Sequence, residues 1–203
     1  PNFQSTLNTQ SFTICQSTPQ GRLLFYGGDG SGDRFQLYNK LHNKLKNGDS
    51  VYSNFGNGVL CIPVPGQNGK KFYIIAGSHG YVTGYPTDKS KAFLYSILDT
   101  SLESGLGAID LTKRNQSILP PASYASMSVY PGNTALWSNE SFIAIPKCSG
   151  SEYWLITNAN TNNGSTFYQG KVLIYSIQSN GIFFDHMDSF DVTTEFRFSE
   201  LGI

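Results

Sequence analysis

Apolar residues in this chain gather in short runs rather than in helical stripes: Val59 to Val64, Phe72 to Ala76, Ala92 to Ile97, Tyr153 to Thr157 and Val172 to Ile177. Each run is too short for an independent helix and too uniformly apolar for a strand with one wet face, so the pattern predicts strands covered on both faces. Between the runs lie Gly66-Gln67-Asn68-Gly69, Ser149-Gly150-Ser151 and Ser179-Asn180-Gly181. Gly and Asn there supply the positive φ angles that tight hairpins use. The predicted arrangement is a series of antiparallel meanders stacked face on face.

The runs also recur in order. Ile62-Pro63, Phe72-Tyr73-Ile74-Ile75 and Leu94-Tyr95-Ser96-Ile97 reappear as Ile145-Pro146, Tyr153-Trp154-Leu155-Ile156 and Ile174-Tyr175-Ser176-Ile177. Such self-similarity signals repeat architecture. Residues 59–119 and 143–190 are therefore expected to form equivalent units, with Tyr95 matched to Tyr175 and Trp154 matched to Ile74 as core. A degenerate copy precedes them: Phe12 to Cys15, Gly21 to Tyr26 and Phe35 to Asn39 read as strands, the last two joined by a Gly/Asp turn. Leu37, Leu41 and Leu45 share a helical spacing that permits a short helix at 38–46. Strand followed by loop is preferred there, because Tyr38-Asn39 closes the repeat.

The fold expected is all-β: repeated antiparallel meanders forming about three β-propeller-like blades, since radially stacked sheets cover one another. Residues 1–203 are read as a single repeat domain with units at about 11–50, 51–119 and 140–190. Propellers close with roughly four to eight blades, so three imply part of a larger propeller and a longer chain, or a sheet face that something else must cover.

Composition narrows the setting. Only 14% of the 203 residues are charged, against about a quarter in an average domain. Aromatic residues make up another 14%, on a background of Gly, Ser, Asn and Thr, which suits an exported β-protein better than a cytosolic enzyme. Net charge is zero, and the densest basic run, Lys40, Lys44 and Lys46, is too small to supply the phosphate contacts that nucleic acid requires. No apolar run is long enough for a membrane-spanning helix. The chain begins at Pro1 with no export signal, and Phe198 to Ile203 brings no clear stop, from which a processed or trimmed chain is expected.

Gly21-Arg22-Leu23-Leu24-Phe25-Tyr26, Asp29-Gly30, Leu37-Tyr38-Asn39-Lys40-Leu41-His42 and Asn47-Gly48 together resemble the opening of large secreted proteins of Bacteroidota. The resemblance continues through Val64-Pro65-Gly66, Leu94-Tyr95-Ser96-Ile97 and Ile145-Pro146-Lys147-Cys148, and covers about residues 20 to 190. It implies a propeller-like amino-terminal region of the kind found upstream of gliding-motility-type carboxy-terminal sorting domains. It also implies export by the type IX secretion system to the outer cell surface or the medium. The sorting domain itself is not in this sequence, and the resemblance brings no catalytic residues.

Candidate chemistry is sparse. His42, His79 and His186 stand apart, without zinc-ligand spacing. Gly28 to Gly32 lies between strands, unlike a nucleophile elbow. Asp29 to Asp33 imitates the start of a calcium loop, but Lys40 takes the place of the bidentate Glu, so a hairpin turn is the simpler reading. Asp99 with Glu103, or Asp185 with Asp188, are the carboxylate pairs available to a glycosidase. Cys15, Cys61 and Cys148 are odd in number, and Cys61 falls within an apolar run as a buried thiol would.

The connection from Pro120 to Ser141 is long, and such loops often carry function. Tyr124, Tyr130 and Trp137 within it are the candidate binding residues, presenting a stacking face to a glycan or a partner protein or else folding back over a sheet edge. No catalytic residue, metal ligand or cofactor is expected. The function expected is a non-catalytic extracellular or cell-surface binding or scaffold module, whose partner is another segment of the same polypeptide, another protein subunit or a surface glycan. The alternative is a carbohydrate-binding or glycoside-hydrolysing propeller.

Overall fold

A computed structural model of the chain describes residues 13–29, 34–49, 51–52, 58–77, 93–118, 137–148, 150–161 and 169–191. The described residues are all-β, organised as three antiparallel sheets in meander order. Strands β1 (Thr13–Ser17), β2 (Leu23–Asp29), β3 (Arg34–Asn39) and β4 (Val51–Tyr52) make the first sheet. The second contains β5 (Val59–Pro63), β6 (Lys71–Gly77), β7 (Phe93–Asp99) and β8 (Ala108–Ile109), with β9 (Gln116–Ser117) also on β7. The third is β10 (Trp137–Pro146), β11 (Tyr153–Thr161), β12 (Gln169–Gln178) and β13 (Gly181–Asp191).

The chain compacts as two units. Pro1–Ser78 with Phe93–Ser117 holds the first two sheets, and His79–Ala92 with Ile118–Ile203 holds the third. β4, counted by the repeat reading with the second copy, pairs with Arg34 and Phe35 and belongs to the first sheet.

In the first unit, alternation along the strands sends Phe25, Gly27, Phe35, Leu37 and Val51 to one face of the first sheet. Phe25, Phe35, Leu37 and Val51 meet Phe72, Ile74, Leu98, Ala108 and Ile109 of the second sheet in one apolar core. The Phe25 ring stands edge-on to Phe72, with centroids 5.1 Å apart. Gly27 is required because Ile14 and Leu37 flank it in register while Phe35 and Leu37 fill the space a side chain would need. On β6, Tyr73 and Ile75 point away from this core and are as inaccessible as Phe72 and Ile74, so the continuous apolar run is a strand covered on both faces.

After β3 the chain turns rather than forming a helix. The Asn39 carboxamide oxygen accepts the backbone N–H groups of Leu41 (2.9 Å) and Asn43 (3.2 Å), a local alternative to helical bonding that Asn favours. Leu45 N–H then returns to the Leu37 carbonyl at 2.8 Å. As a result Leu45 is buried in the core and Leu41 is exposed.

The third sheet corrects the expectation of two dry faces. Leu155, Thr157, Leu173, Tyr175 and Ile177 are buried, whereas Trp154, Ile156 and Ile174, which alternate with them, are only partly covered. Ile143, Ile145 and Phe183 on that second face are 54%, 43% and 45% exposed. Trp154 is therefore not core material; Leu155 fills that role.

The two sequence copies share three antiparallel strands in the same order, but Tyr95 and Tyr175 are not equivalent. Three residues along β6 from the Pro63–Phe72 pair, Ile75 faces Tyr95. Three residues along β11 from the Pro146–Tyr153 pair, Ile156 faces Ile174. The third strand is thus displaced by one residue between copies, and a one-residue displacement exchanges faces. Tyr175 is fully buried while Tyr95 is partly covered. A run that is apolar on both faces carries no alternation to pin its register, so the order of the apolar runs alone aligns the two tyrosines.

Candidate functional site

Tyr124 and Tyr130, two of the three residues singled out for binding, lie outside the described residues. Trp137 does not sit in a loop: its backbone opens β10 and pairs with Asn160. His79 and residues 30–33 of the Asp29-to-Asp33 turn also lie outside the described residues.

The sequence did not point to the cluster that the third sheet assembles on its open face. Across the four strands, cross-strand pairing aligns Ile145, Trp154, Ser176 and Phe183 in one row and Ile143, Ile156, Ile174 and His186 in the next. Lys147, just beyond β10, reaches back over this face. Its Nζ lies 3.9 Å from the centre of the Trp154 ring, 2.9 Å from Glu152 Oε2 and 2.6 Å from Ser176 Oγ. Ser176 Oγ also accepts a hydrogen bond from Gln178 Nε2 at 3.1 Å. Pairing an ammonium with a carboxylate, a hydroxyl and an indole face ties the β10–β11 turn down onto β12. Gly150 in that turn adopts φ +72°, a conformation glycine takes without strain.

A serine beside a lysine invites a reading as a nucleophile with its base. The contacts argue otherwise. An ammonium that donates to Glu152 and to Ser176 has no lone pair with which to take the serine proton. Ser176 acts as a double acceptor here, 5% exposed. The cluster is built to hold shape.

Of the acidic pairs named for glycoside hydrolysis, Asp99 and Glu103 turn to different partners. Asp99 Oδ1 accepts from Ser101 N–H (2.9 Å) and Ser101 Oγ (2.6 Å), and its Oδ2 lies 3.4 Å from Lys71 Nζ. Burial alone would raise this carboxyl, but the Ser101 hydrogen bonds and the Lys71 charge outweigh it and hold it below the usual aspartate range. Glu103 is turned to Lys46 at 2.7 Å instead. It lies in the turn Leu102–Gly105, where Glu103 and Ser104 have left-handed φ of 50° and 56°. Asp185 and Asp188 flank His186, with Asp185 Oδ2 2.5 Å from Nδ1 and Asp188 Oδ2 3.8 Å from Nε2. All three are exposed.

In the first unit, Tyr26 and Tyr38 stack as a cross-strand pair with centroids 5.3 Å apart. His42 Nδ1 lies 3.2 Å from Tyr26 Oη, and Tyr38 Oη donates to Gln36 Oε1 at 2.9 Å. This aromatic patch lays the loop after β3 over the outer face of the first sheet. Cys15, Cys61 and Cys148 are free thiols. Burial, with Cys15 nearby, pushes the Cys61 thiol up to about 12. Among the described residues no group of His, Cys, Asp and Glu is arranged to hold a metal ion, and no helix is long and apolar enough to cross a membrane.

The chain matches no protein family, no curated protein and no solved structure.

Proposed function

We propose that this chain is a non-catalytic, extracellular or cell-surface β-module of propeller type, which acts by presenting sheet faces to another protein surface. One observation carries the reading. On the third sheet, Ile143, Ile145 and Phe183 are exposed beside a partly covered Trp154, whereas Ile62, which the repeat matches to Ile145, is buried in the second sheet. A row of large apolar side chains facing water is the usual mark of a surface that docks. In a propeller, the partner for such a face is another antiparallel sheet of the same kind. The low charge of the chain and the way its carboxylates and its Ser–Lys pair are tied up favour binding over catalysis. Placement outside the cytoplasm, on a bacterial surface, rests on composition and on the resemblance to Bacteroidota secreted proteins.

The 203-residue chain and a variant carrying Ile145→Lys and Phe183→Lys should be compared by light scattering and by binding of a hydrophobic dye. The parent is expected to bind dye and to associate as concentration rises, and the variant to do neither while unfolding at the same denaturant concentration. A dye-negative parent that stays monomeric would defeat the reading. Turnover on a panel of chromogenic glycosides that disappears with Asp185→Asn or Asp188→Asn would replace it with the glycosidase alternative.

A further inference from the structure

We propose that the partner of the third sheet's open face is an antiparallel sheet of another protein chain, apolar at alternate positions and carrying a Lys or Arg at the margin that meets Asp185 and Asp188. The proposal rests on the docking reading above and adds to it the chemistry of the partner.

The open face is not uniform along its strands. On β12, Ser176, Ile174 and Val172 point to it in turn, and on β13 they pair with Phe183, His186 and Asp188. At the Ser176 end the charges are closed off, because Lys147, with 16% of its side chain exposed, already holds Glu152 and Ser176. At the Val172 end they are open. Asp188 is 71% exposed and lies 3.8 Å from His186 Nε2, and Asp185, at the bulge between the Ile174–His186 and Tyr175–Phe184 pairs, lies 2.5 Å from His186 Nδ1. Among the described residues, His186 is the sole ion-pair partner of either carboxylate. Two carboxylates against one imidazole leave this end negative whether or not the ring is protonated. The face is therefore apolar along Ile143, Ile145, Trp154 and Phe183, neutral at one end and acidic at the other.

The first unit shows what such a face accepts. There Phe72, Ile74 and Leu98 of the second sheet are closed over by Phe25, Phe35, Leu37 and Val51 of another antiparallel sheet. At the margin of that packing, a cation from the covering sheet meets an acid of the covered one: Lys46, on the loop after β3, lies 2.7 Å from Glu103, just beyond β7. Ile109 N–H fixes the same loop by donating to the Lys46 carbonyl at 3.0 Å. Stacked sheets lie about 10 Å apart, so a Lys or Arg at the edge of a covering sheet can reach Asp188 as Lys46 reaches Glu103. An acidic margin would instead set like charges together just where the apolar contact excludes water. The apolar row thus supplies the attraction, and the charge at its end selects the partner.

The test uses two fluorescently labelled, backbone-cyclised β-hairpins that share one face of Val, Leu and Phe. One carries Lys at the end of that face, and the other carries Glu there. Binding to the purified 203-residue chain is read by fluorescence anisotropy at low salt, at a concentration where light scattering shows a monomer. The Lys hairpin is expected to bind about fivefold more tightly, the upper value for one exposed ion pair. Asp185→Asn with Asp188→Asn is expected to abolish the difference, and Asp188→Lys to reverse it, with the denaturation midpoint of each variant compared with the parent's. Ile145→Lys with Phe183→Lys is expected to lose both hairpins. Equal binding of the two hairpins to the parent, or a Lys preference that survives Asp185→Asn with Asp188→Asn, would overturn the basic partner and leave the docking face standing. Binding of neither hairpin would overturn both.

Discussion

Replacing Gly27 by Ala tests the packing of the first unit with one methyl group. A Cβ built on Gly27 would lie 2.6 Å from Phe35 Cε1, 2.7 Å from Leu37 Cδ2 and 2.7 Å from the Gln36 carbonyl oxygen. Phe35 and Leu37 are 0% and 1% exposed, so neither can swing into solvent. The carbonyl belongs to the strand paired with β2 and cannot retreat without opening the ladder. Overpacking a filled core typically costs about 1–3 kcal/mol, and with three close contacts Gly27→Ala belongs at the upper end, near 3 kcal/mol. The roughly 0.5–1 kcal/mol that Ala gains over Gly within regular structure offsets only part of this. Gly21→Ala is the control: Gly21 has φ +77° but open space around its Cβ position, so its cost is backbone strain of about 1–2 kcal/mol. Urea unfolding followed by circular dichroism gives both values, and hydrogen exchange on the β2 and β3 peptides locates the loss. A Gly27→Ala cost no larger than that of Gly21→Ala would refute the reasoning about this core.

Tyr175 is fully buried in the second unit, and its hydroxyl has no hydrogen-bond partner; Tyr175→Phe should therefore stabilise the protein, by about 1 kcal/mol, in denaturant titration. Asp99 has a depressed carboxyl in the folded state, so its contribution is present above the ordinary aspartate value and lost as pH falls below it. Acid titration of the parent and Asp99→Asn should show a gap that closes at low pH. At the alkaline end the sign reverses: burial raises Tyr73, helped by Tyr95, and Cys61 to about 12, and raises Tyr175 as well. Stability should hold below about pH 9, where these groups are protonated in the unfolded chain too, and fall as pH climbs toward the folded values. Alkylation of the reduced native protein at neutral pH should label Cys15 and Cys148, which are exposed, well before Cys61, as mass spectrometry of timed samples would show.

Much of the strand content was legible because it rests on short-range chemistry. β6 appeared as a run apolar throughout, and Phe72 through Ala76 are indeed buried on both faces. The turn at Gly66 to Gly69 was visible in its residues, and Gly66, Asn68 and Gly69 do have positive φ. Asn39 also stopped its strand as expected, by capping Leu41 and Asn43. What was not legible depended on facing. Whether Trp154 looks inward or outward is set by register against Ile145 and Ser176, and a run with few polar residues leaves register open. The Lys147 cluster was hidden for a related reason: Lys147, Glu152, Trp154 and Ser176 converge only once β10, β11 and β12 are paired. Asp99 and Glu103, read as a pair for sugar chemistry, are turned apart by local bonds to Ser101 and Lys46, which spacing along a chain does not reveal.

The central claim is that the open face of the third sheet is covered in the protein's native setting. Carbene footprinting measures this directly, by comparing label uptake at Ile143, Ile145, Trp154 and Phe183 in intact native material with uptake in the purified 203-residue chain. The account predicts strong labelling of these residues in the isolated chain and protection in the native material, with Leu41, exposed on the first unit, labelled equally in both. Equal labelling of the third-sheet face in the two samples would contradict it.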